Sequence, residues 1–346
     1  AINHHPAPVL ALDIPSGVHG DSGRVLGSAV RADLTVTFVG LKAGLFAAGG
    51  AERSGEILFD GLEVPDRCRP PGKAMYRRID DSMLRCCLPR RKRTAHKGSF
   101  GHVLVVGGGT GMAGAVRLAG EAALRTGAGL VTIATDPSHA GMLVGSRPEL
   151  MCVGIADANE LSQHIEKADV IAFGPGLGQS DWARELFAVV AAQELPCVWD
   201  ADALNLLAAA PSRAEHRIIT PHPGEAGRLL GSSATQVQAD RRAALDALQE
   251  RYGGIAVLKG ANSLVASARG VPWLCTAGNP GMAAPGMGDV LTGIIAALLA
   301  QGLAAEEAAA VGVAVHAQAG DRAAAAGERG LMASDLMAEL RGVVNP

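Results

Sequence analysis

The chain has 346 residues, of which 48% are hydrophobic and only 3% aromatic, with 31 basic against 34 acidic side chains and a formal net charge of −3. This length suffices for one large domain and a smaller piece, and the balanced charge excludes a surface built throughout for binding polyanions. The 45 glycines and few aromatic residues favour alanine-packed helices on a sheet, with close approaches of the backbone to a ligand.

Cysteine usage and hydropathy bear on the compartment. The six cysteines show no C-x-x-C pair and no metal-ligand spacing, so reduced thiols in a cytoplasmic protein are the simplest interpretation. No signal-like apolar segment opens the chain, and no apolar run reaches about 18 residues without charges or turn residues. We therefore expect no membrane partner. Because the chain does not begin with Met, we interpret its start as a cut or processed end.

Three short strands are predicted in the N-terminal region. The first covers residues 9–17 and carries Asp13 where it runs into a loop, and the others cover residues 33–38 and 55–60. An acid at the carboxyl end of a strand lies where open parallel sheets keep their ligand groups. Three strands with so little chain between them cannot close a doubly wound sheet, so we expect this region to be the back part of a domain.

A linker is predicted between residues 64 and 97, because prolines and a basic run at 90–93 interrupt the pattern. The basic run is interpreted as a solvated face. Aromatic residues are not interleaved with it, which argues against a nucleic-acid-binding arm.

The second region opens with a strand at 102–106, a glycine-rich loop and a helix that reaches about residue 126. Gly109, Gly111 and Gly114 match G-x-G-x-x-G, and Asp136 closes the next strand, at 130–135. Two interpretations stay open. The motif is either a dinucleotide-binding Rossmann fingerprint or a chance match in a glycine-rich chain, in which residues 136–137 form a turn.

Further strands alternate with helices along the rest of the chain, and each strand ends at a loop of glycine and polar residues. This arrangement predicts a parallel α/β sheet whose ligand crevice lies along the carboxyl edge of the strands. The strands are predicted at 169–173, 196–199, 217–220 and 255–258, and the helices at about 182–193, 234–251, 304–318 and 333–342.

A glycine-rich stretch at 279–293 runs into a helix predicted to begin near Gly288. The first amides of a helix lack intrahelical partners and carry partial positive charge, so the Gly286, Met287 and Gly288 amides would form an anion site. Asp289 would serve there as a base beside a bound phosphate. The alternative is that Asp289 caps the helix and the glycines only make a turn.

Three other side chains at strand ends are candidates for the same site. His222 stands between two prolines, Glu225 is placed to hold a hydrated Mg²⁺ near a phosphate chain, and Lys259 offers a cation for a phosphate. The alternatives are a structural histidine, a helix cap and an exposed surface lysine. Asp200 could act like Glu225, whereas Asp202 is expected to cap the helix that follows it. The P-loop pattern G-x-x-x-x-G-K-[ST] is absent.

Taken in order, these segments resemble the ADP/ATP-dependent NAD(P)H-hydrate dehydratase family over about residues 96–342. The motifs that carry the resemblance are HKGSFGHVL (96–104), GPGLG (174–178), DADALN (200–205), TPHPGE (220–225), LKG (258–260) and GMGDVLTG (286–293). The resemblance implies a ribokinase-like three-layer αβα fold with a mostly parallel central sheet.

The segment LDIPSG (12–17) resembles the second half of an NAD(P)H-hydrate epimerase domain. The resemblance implies a partial Rossmann-like epimerase domain at 1–64, a linker at 65–95 and a dehydratase domain at 96–346. Because the first half of the epimerase domain is absent from this chain, we expect the chain alone not to interconvert the epimers of the hydrate.

The resemblance also implies the site residues. Asp289 would remove the proton of the hydrate's hydroxyl group, whose oxygen would attack the terminal phosphate of the co-substrate ADP, with Mg²⁺ near Glu225. The hydrated dinucleotide would contact Ala115, Gly176, Gly178, His222 and Asp289. The adenine nucleotide would lie along Lys259, Gly260, Ala261, Asn262 and Ser263 and at Gly286, Met287 and Gly288.

In the epimerase portion, Asp13 would face the hydrate and Ser16 would help to hold K⁺. Ala284 and Pro285 depart from the family pattern, in which a small hydroxyl residue or glycine is expected, and their presence is expected to weaken anion binding. The resemblance further implies a homo-oligomer. The alternatives from other classes are a ribokinase-like vitamin or sugar kinase and a non-catalytic NAD-binding protein.

Overall fold

The computed structural model describes residues 1–68, 74–266 and 270–346. The chain divides into two compact units. The first comprises residues 1–77 and 238–240, and the second comprises residues 78–237 and 241–346.

The first unit contains a three-stranded parallel sheet in the order β1-β2-β3. The strands are β1 (Leu10–Leu12), β2 (Leu34–Phe38) and β3 (Glu56–Asp60), and one short helix, α1 (Ala48–Ala51), precedes β3. The three predicted strands are confirmed. One face of the sheet is apolar and open to solvent, because Leu10 and Leu12, which pair with Leu34 and Val36, are 56% and 66% exposed.

The second unit is built on a ten-stranded sheet in the order β4-β13-β12-β11-β10-β9-β8-β5-β6-β7. Strands β5 to β11 run parallel to their neighbours, and β12 and β13 are antiparallel additions. The strands are β4 (Arg77–Arg78), β5 (His102–Val106), β6 (Leu130–Thr135), β7 (Met151–Gly154), β8 (Val170–Phe173), β9 (Cys197–Trp199), β10 (Arg217–Ile219), β11 (Ile255–Leu258), β12 (Leu264–Val265) and β13 (Trp273–Leu274).

Helices cover both faces of this sheet. They are α2 (Asp81–Cys87), α3 (Ala113–Thr126), α4 (Ala140–Ser146), α5 (Ala158–Ile165), α6 (Asp181–Ala191), α7 (Asp202–Ala209), α8 (Pro223–Leu230), α9 (Ala234–Ala239), α10 (Arg241–Tyr252), α11 (Met287–Ala300), α12 (Ala305–Ala323) and α13 (Leu336–Val343). Within the described residues no helix is long and apolar enough to cross a membrane.

Strand alternation explains the two helical layers. Val103 and Val105 of β5 belong to a core formed with α3, α11, α12 and α13, and successive residues of a strand point to opposite faces. On the other face, Phe187 of α6 packs edge-on against Trp199, with 5.3 Å between ring centroids. Strands that are buried on both faces read as continuous apolar runs, which is why these strands are recognisable in the sequence.

The structure differs from the predicted elements in three places. The single helix predicted at 234–251 is two helices, α9 and α10. A further helix, α8, begins at Pro223. Part of the predicted linker forms α2, whose N-terminus is capped because the Asp80 side chain accepts hydrogen bonds from the amides of Ser82 and Met83. The six cysteines are all free, as predicted.

The closest contact between helices lies where α11 crosses α3. A methyl group added to Gly293 would lie 2.0 Å from the carbonyl oxygen of Ala119. We expect Gly293→Ala to destabilise the protein by about 2 kcal/mol, because the two helices must move apart. Thermal unfolding measures this effect.

Gly145→Ala is the matched control, since Gly145 is also helical but has no atom within 4 Å of an added methyl group. It is expected to stabilise by up to about 1 kcal/mol through helix propensity. Equal melting temperatures for the two variants would contradict the packing argument.

Candidate active site at the carboxyl edge of the sheet

The anion loop ends in an uncapped helix N-terminus. Gly286 precedes α11 with φ 87°, a conformation that favours glycine, and the helix begins at Met287, close to the predicted start. Asp289 is the third helical residue, and no side-chain hydrogen bond caps this end within the described chain. The alternative role of Asp289 as a cap is therefore wrong, and the first amides of α11 remain available to an anion.

A buried ion pair lies beside this helix. The Lys259 ammonium, at the end of β11, is 2.6 Å from Oδ1 of Asp200, at the end of β9, and 3.8 Å from Oε2 of Glu225. Asp200 is only 1% exposed, and its Oδ2 accepts a 3.0 Å hydrogen bond from the hydroxyl of Thr292. Because Thr292 lies one turn after Asp289 on α11, the pair fixes that helix against the ends of two strands. The alternative of an exposed surface lysine is wrong for Lys259.

Both members of the pair are held in their charged forms. Burial by itself would raise the pKa of Asp200, but the Lys259 charge and the hydrogen bonds to the carboxylate outweigh it, so the pKa of Asp200 is lowered. Burial would likewise lower the pKa of Lys259, but the charges of Asp200 and Glu225 raise it. The site therefore contains a fixed positive charge next to the helix N-terminus.

Two other carboxyl groups titrate near neutrality. Burial, together with the negative charge of Asp200, raises the pKa of Asp289 to about 7, although Lys259 opposes the shift. Burial also raises the pKa of Glu225 to about 7, against the effect of Lys259. A carboxylate with a pKa close to the working pH is suited to general base catalysis. Asp289 combines this property with its place in the first turn of α11.

His222 and Glu225 form a capping box at the start of α8. Nδ1 of His222 accepts hydrogen bonds from the amides of Gly224 (3.0 Å) and Glu225 (3.4 Å), and Oε2 of Glu225 accepts one from the His222 amide (2.8 Å). The alternative structural role is thus confirmed for both residues. The His222 side chain is still 51% exposed, so its Nε2 is accessible to a ligand. Burial and the charges of Lys259 and Arg228 lower its pKa.

Two glycine loops form a continuous wall at this edge. The Gly109 amide donates to the Gly176 carbonyl at 2.7 Å. A methyl group on Gly176 would lie 3.0 Å from Cβ of Ala115, and the Gly178 amide donates to Oδ2 of Asp202 at 2.8 Å. The structure therefore brings together Ala115, Gly176 and Gly178, which were predicted to act together.

Asp202 does not cap α7, contrary to expectation. The N-cap is Ala201, which makes no side-chain cap, and its φ of 49° turns the chain sharply. The acids on either side of this turn consequently meet different partners, Asp200 bonding Lys259 and Asp202 bonding the loop at Gly178.

The segment after β11 is a tight turn. The Ser263 hydroxyl donates to the Gly260 carbonyl at 3.0 Å, and Asn262 has a left-handed φ of 56°. Gly260 has φ 138°, and an added methyl group would lie 2.6 Å from Nη1 of Arg241. Arg241 in turn donates to the Leu258 carbonyl at 3.0 Å. The turn of residues 259–263 thus begins at Lys259 and has a fixed backbone.

The Rossmann interpretation of the glycine motif is wrong. Both oxygens of Asp136 are engaged locally: Oδ1 accepts from the Ser138 amide at 2.9 Å, and Oδ2 accepts from the Thr110 hydroxyl at 3.0 Å. The turn alternative is therefore confirmed. Asp136 fastens the loop and does not serve as a free acceptor for a ribose.

Thr292 and Asp321 were missed as site residues. Thr292 lies in the recognised GMGDVLTG motif, three residues after Asp289, and helical spacing places it on a nearby face. Asp321 of α12 accepts hydrogen bonds from the Gly278 amide and from Nδ2 of Asn279, both at 2.9 Å, and so anchors the entrance to the anion loop. No local sequence signal connects Asp321 to a loop about 40 residues away.

The first unit places Asp13 as predicted, after β1. Asp13 has φ 70°, and its Oδ1 accepts from the Phe38 amide at 3.1 Å and the Thr37 hydroxyl at 3.3 Å and contacts Nζ of Lys42. Burial would raise the pKa of Asp13, but Lys42 and the Phe38 amide lower it below its ordinary value. Ser16 lies exposed three residues later.

Comparison with protein families assigns both units. The family model described as NAD(P)H-hydrate dehydratase matches residues 103–341, and the model described as YjeF-related protein N-terminus matches residues 1–44. The bifunctional NAD(P)H-hydrate repair enzyme Nnr of Coxiella burnetii is 51% identical, with 100% of this chain and 71% of that protein covered. The enzyme of the same name from Escherichia coli is 45% identical, with coverages of 99% and 67%.

Solved structures give the same fold. A ribokinase-like superfamily protein from Enterococcus faecalis superposes with a TM-score of 0.73 and 32% identity, covering 78% of this chain and 95% of that one. The ADP/ATP-dependent NAD(P)H-hydrate dehydratase from Bacillus subtilis, co-crystallised with ATP/Mg²⁺, gives a TM-score of 0.69 and 29% identity, with coverages of 76% and 95%. The predicted ribokinase-like fold is confirmed, and the matches favour the dehydratase over a vitamin or sugar kinase. The chain therefore belongs to the bifunctional NAD(P)H-hydrate repair enzyme family, and its second unit carries the NAD(P)H-hydrate dehydratase domain.

Proposed function

We propose that Asp289 is the base of the dehydratase reaction, removing the proton from the hydroxyl group of the hydrated nicotinamide ring. The observation that carries this proposal is the position of Asp289 in the uncapped first turn of α11, with its pKa raised to about 7 beside the Lys259–Asp200 pair. At neutral pH a large fraction of Asp289 is ionised and able to accept a proton.

The deprotonated oxygen attacks the terminal phosphate of ADP, so that a new O–P bond forms, the bond to the bridging oxygen breaks and AMP leaves. The amides at Gly286, Met287 and Gly288 and the Lys259 ammonium face the negative charge that develops on the transferring group. Gly288 permits this approach, because a methyl group there would lie 3.1 Å from both Nζ of Lys259 and Oδ2 of Asp200.

The second step releases phosphate. The carbon–oxygen bond of the ring breaks, and a proton leaves the neighbouring ring carbon, which restores the double bond of NADH or NADPH. The hydrate rests on the wall of Ala115, Gly176 and Gly178 and near His222. The adenine nucleotide follows the turn from Lys259 through Gly260, Ala261 and Asn262 to Ser263.

The donors at the site suit a hydrated Mg²⁺ held mainly by phosphate oxygens. Oε2 of Glu225 accepts from the His222 amide, whereas Oε1 has only Nε2 of His222 nearby, at 3.5 Å, and is able to accept from a water of the ion. No three metal-ligating side chains cluster among the described residues, and Mg²⁺ in such sites needs only one or two carboxylates. When bound, the ion neutralises charge on the phosphates.

The remaining assignments rest on the resemblance of the first unit and on family membership. Asp13 faces the hydrate in an epimerase site, and Ser16 is one of several ligands to K⁺, since one exposed hydroxyl supplies too few oxygens alone. The chain works in the cytoplasm as a homo-oligomer, without nucleic-acid or membrane partners. The domains are the epimerase part at 1–64, a linker at 65–95 and the dehydratase at 96–346.

Asp289→Asn tests the base. We expect kcat for dehydration of NADHX with ADP and Mg²⁺ to fall by about 10²–10⁴, because the amide cannot accept the proton, while the Kd for ADP is unchanged. Recovery of the absorbance of the reduced nicotinamide measures turnover. Glu307→Gln, which replaces an exposed acid in the first turn of α12, is the control and should keep wild-type kcat. An active Asp289→Asn enzyme would refute the role.

The pH profile gives a second test of Asp289. A base must be ionised, so kcat should rise with pH through about 7 and level off above it. The negative charge of Glu225 contributes to the raised pKa of Asp289, so Glu225→Gln should move this limb to lower pH without abolishing it. Loss of the limb in Glu225→Gln would instead assign the titration to Glu225.

Lys259→Met tests the buried cation. The variant should lose most of its affinity for ADP and about 3 kcal/mol of stability, because Asp200 is left buried without its partner. In the double variant Asp200→Asn/Lys259→Met the uncompensated charge is gone, so the melting temperature should recover while ADP binding remains weak. Wild-type ADP affinity in Lys259→Met would show that the ammonium does not contact phosphate.

A further inference from the structure

The glycine-rich loop of residues 107–111 is fastened by His139, a buried side chain with no part in the steps above. We propose that His139 is a positioning residue for the hydrated dinucleotide. It holds the loop that supports the wall of Ala115, Gly176 and Gly178. This inference rests on the proposed function in one respect, since it takes that wall to be the surface that the hydrate contacts.

His139 joins two points of the loop. It lies immediately before α4 and is 8% exposed, with its Nδ1 3.1 Å from the Gly108 carbonyl oxygen and its Nε2 3.4 Å from the Gly111 amide. A carbonyl oxygen can only accept a hydrogen bond, and an amide N–H can only donate one. The ring is therefore neutral, with its proton on Nδ1, and it clamps both ends of the turn at once.

The end of β6 strengthens the same attachment. The Gly108 carbonyl also accepts from the Thr135 hydroxyl at 2.8 Å, and the Thr110 hydroxyl donates to Asp136 at 3.0 Å. Within the clamp, only His139 reaches the Gly111 amide among the hydrogen bonds of the described residues. The loop is thus held from β6 and from the start of α4, not by its own backbone alone.

The clamped loop transmits its position directly to the proposed substrate wall. The amides of Gly108 and Gly109 donate to the carbonyl oxygens of Pro175 and Gly176 at 2.9 and 2.7 Å. The two loops also pack without spare room, because a methyl group on Gly107 would lie 2.2 Å from the Pro175 carbonyl oxygen. Gly176 in turn abuts Ala115. A shift of the Gly108 backbone must therefore displace the surface under the hydrate.

The parts proposed for phosphoryl transfer are attached elsewhere. Asp289 and Thr292 lie on α11, and Lys259 follows β11. Loosening of the loop should therefore weaken hydrate binding more than it affects nucleotide binding. This separation distinguishes positioning by His139 from a general loss of stability.

The test compares His139→Leu, His139→Asn and His102→Leu. Leucine removes both hydrogen bonds, whereas the asparagine amide can still donate to the Gly108 carbonyl. His102 is the matched control: it too makes two hydrogen bonds through its ring, to the Lys167 carbonyl and the Thr132 hydroxyl, both at 2.8 Å, but at the start of β5, the opposite edge of the sheet.

We expect His139→Leu to raise the KM for NADHX about tenfold with the KM for ADP unchanged. His139→Asn should recover most of this loss, and His102→Leu should lower the melting temperature while keeping both KM values. An unchanged KM for NADHX in His139→Leu, or an equal rise in His102→Leu, overturns the proposal.

Hydrogen exchange separates failure of this inference from failure of the proposed function. The amides of residues 107–112 should exchange faster in His139→Leu than in the wild type, and should be unaffected in His102→Leu. Unchanged exchange overturns the positioning role whether or not the protein is active. Absence of turnover in the wild-type protein with NADHX and either ADP or ATP refutes the proposed function alone. If His139→Leu does not fold, His139→Asn and His139→Gln decide, because only the asparagine can keep the bond to Gly108.

Discussion

The active edge of the dehydratase unit depends on one ion pair that is almost entirely removed from water. An unpaired charge at the site of Asp200 or Lys259 would carry a large desolvation cost, so each is stable there only while the other is present. Their contact joins the ends of β9 and β11, and the Thr292 hydroxyl extends the connection to α11. Three elements that are distant in the chain are thereby brought to one point, and at that point a helix N-terminus and a lysine face the same space.

The same pair sets the chemistry of its neighbours. Asp200 raises the pKa of Asp289 and of Glu225, whereas Lys259 lowers both, so the two carboxyl groups end near 7 and not at the extremes that burial alone or a cation alone would give. Fold and reactivity thus have a common origin in this structure. The interaction that closes the sheet edge is also the interaction that adjusts the proposed base.

The sequence predicts what is local and leaves open what depends on distant partners. Buried parallel strands appear as apolar runs, and glycine and polar residues after them locate the carboxyl edge, which is why Asp289, His222 and Lys259 were found. The identity of an acid's partner is not local. Asp202 looks like a helix cap but bonds Gly178, 24 residues away, and Asp200 meets Thr292 across 92 residues.

Mixed roles were also beyond the sequence. His222 and Glu225 were weighed as either ligand groups or structural groups, and the capping box shows that the structural bonds leave one nitrogen and one oxygen of the pair for other partners. The G-x-G-x-x-G match failed for a related reason, because its pattern describes a glycine turn, while the use of that turn is decided by Thr135, His139 and Asp136 behind it.

The contact of Gly293 with α3 has a consequence for how the site admits its substrates. Successive residues of a helix are about 100° apart around its axis, so Thr292, bonded to Asp200, and Gly293, pressed against Ala119, fix α11 in two different directions. The helix can neither roll nor retreat without breaking one of these contacts. Its amides and Asp289 are consequently oriented before any ligand arrives, and opening and closing of the crevice must be carried out by the loops around a stationary helix.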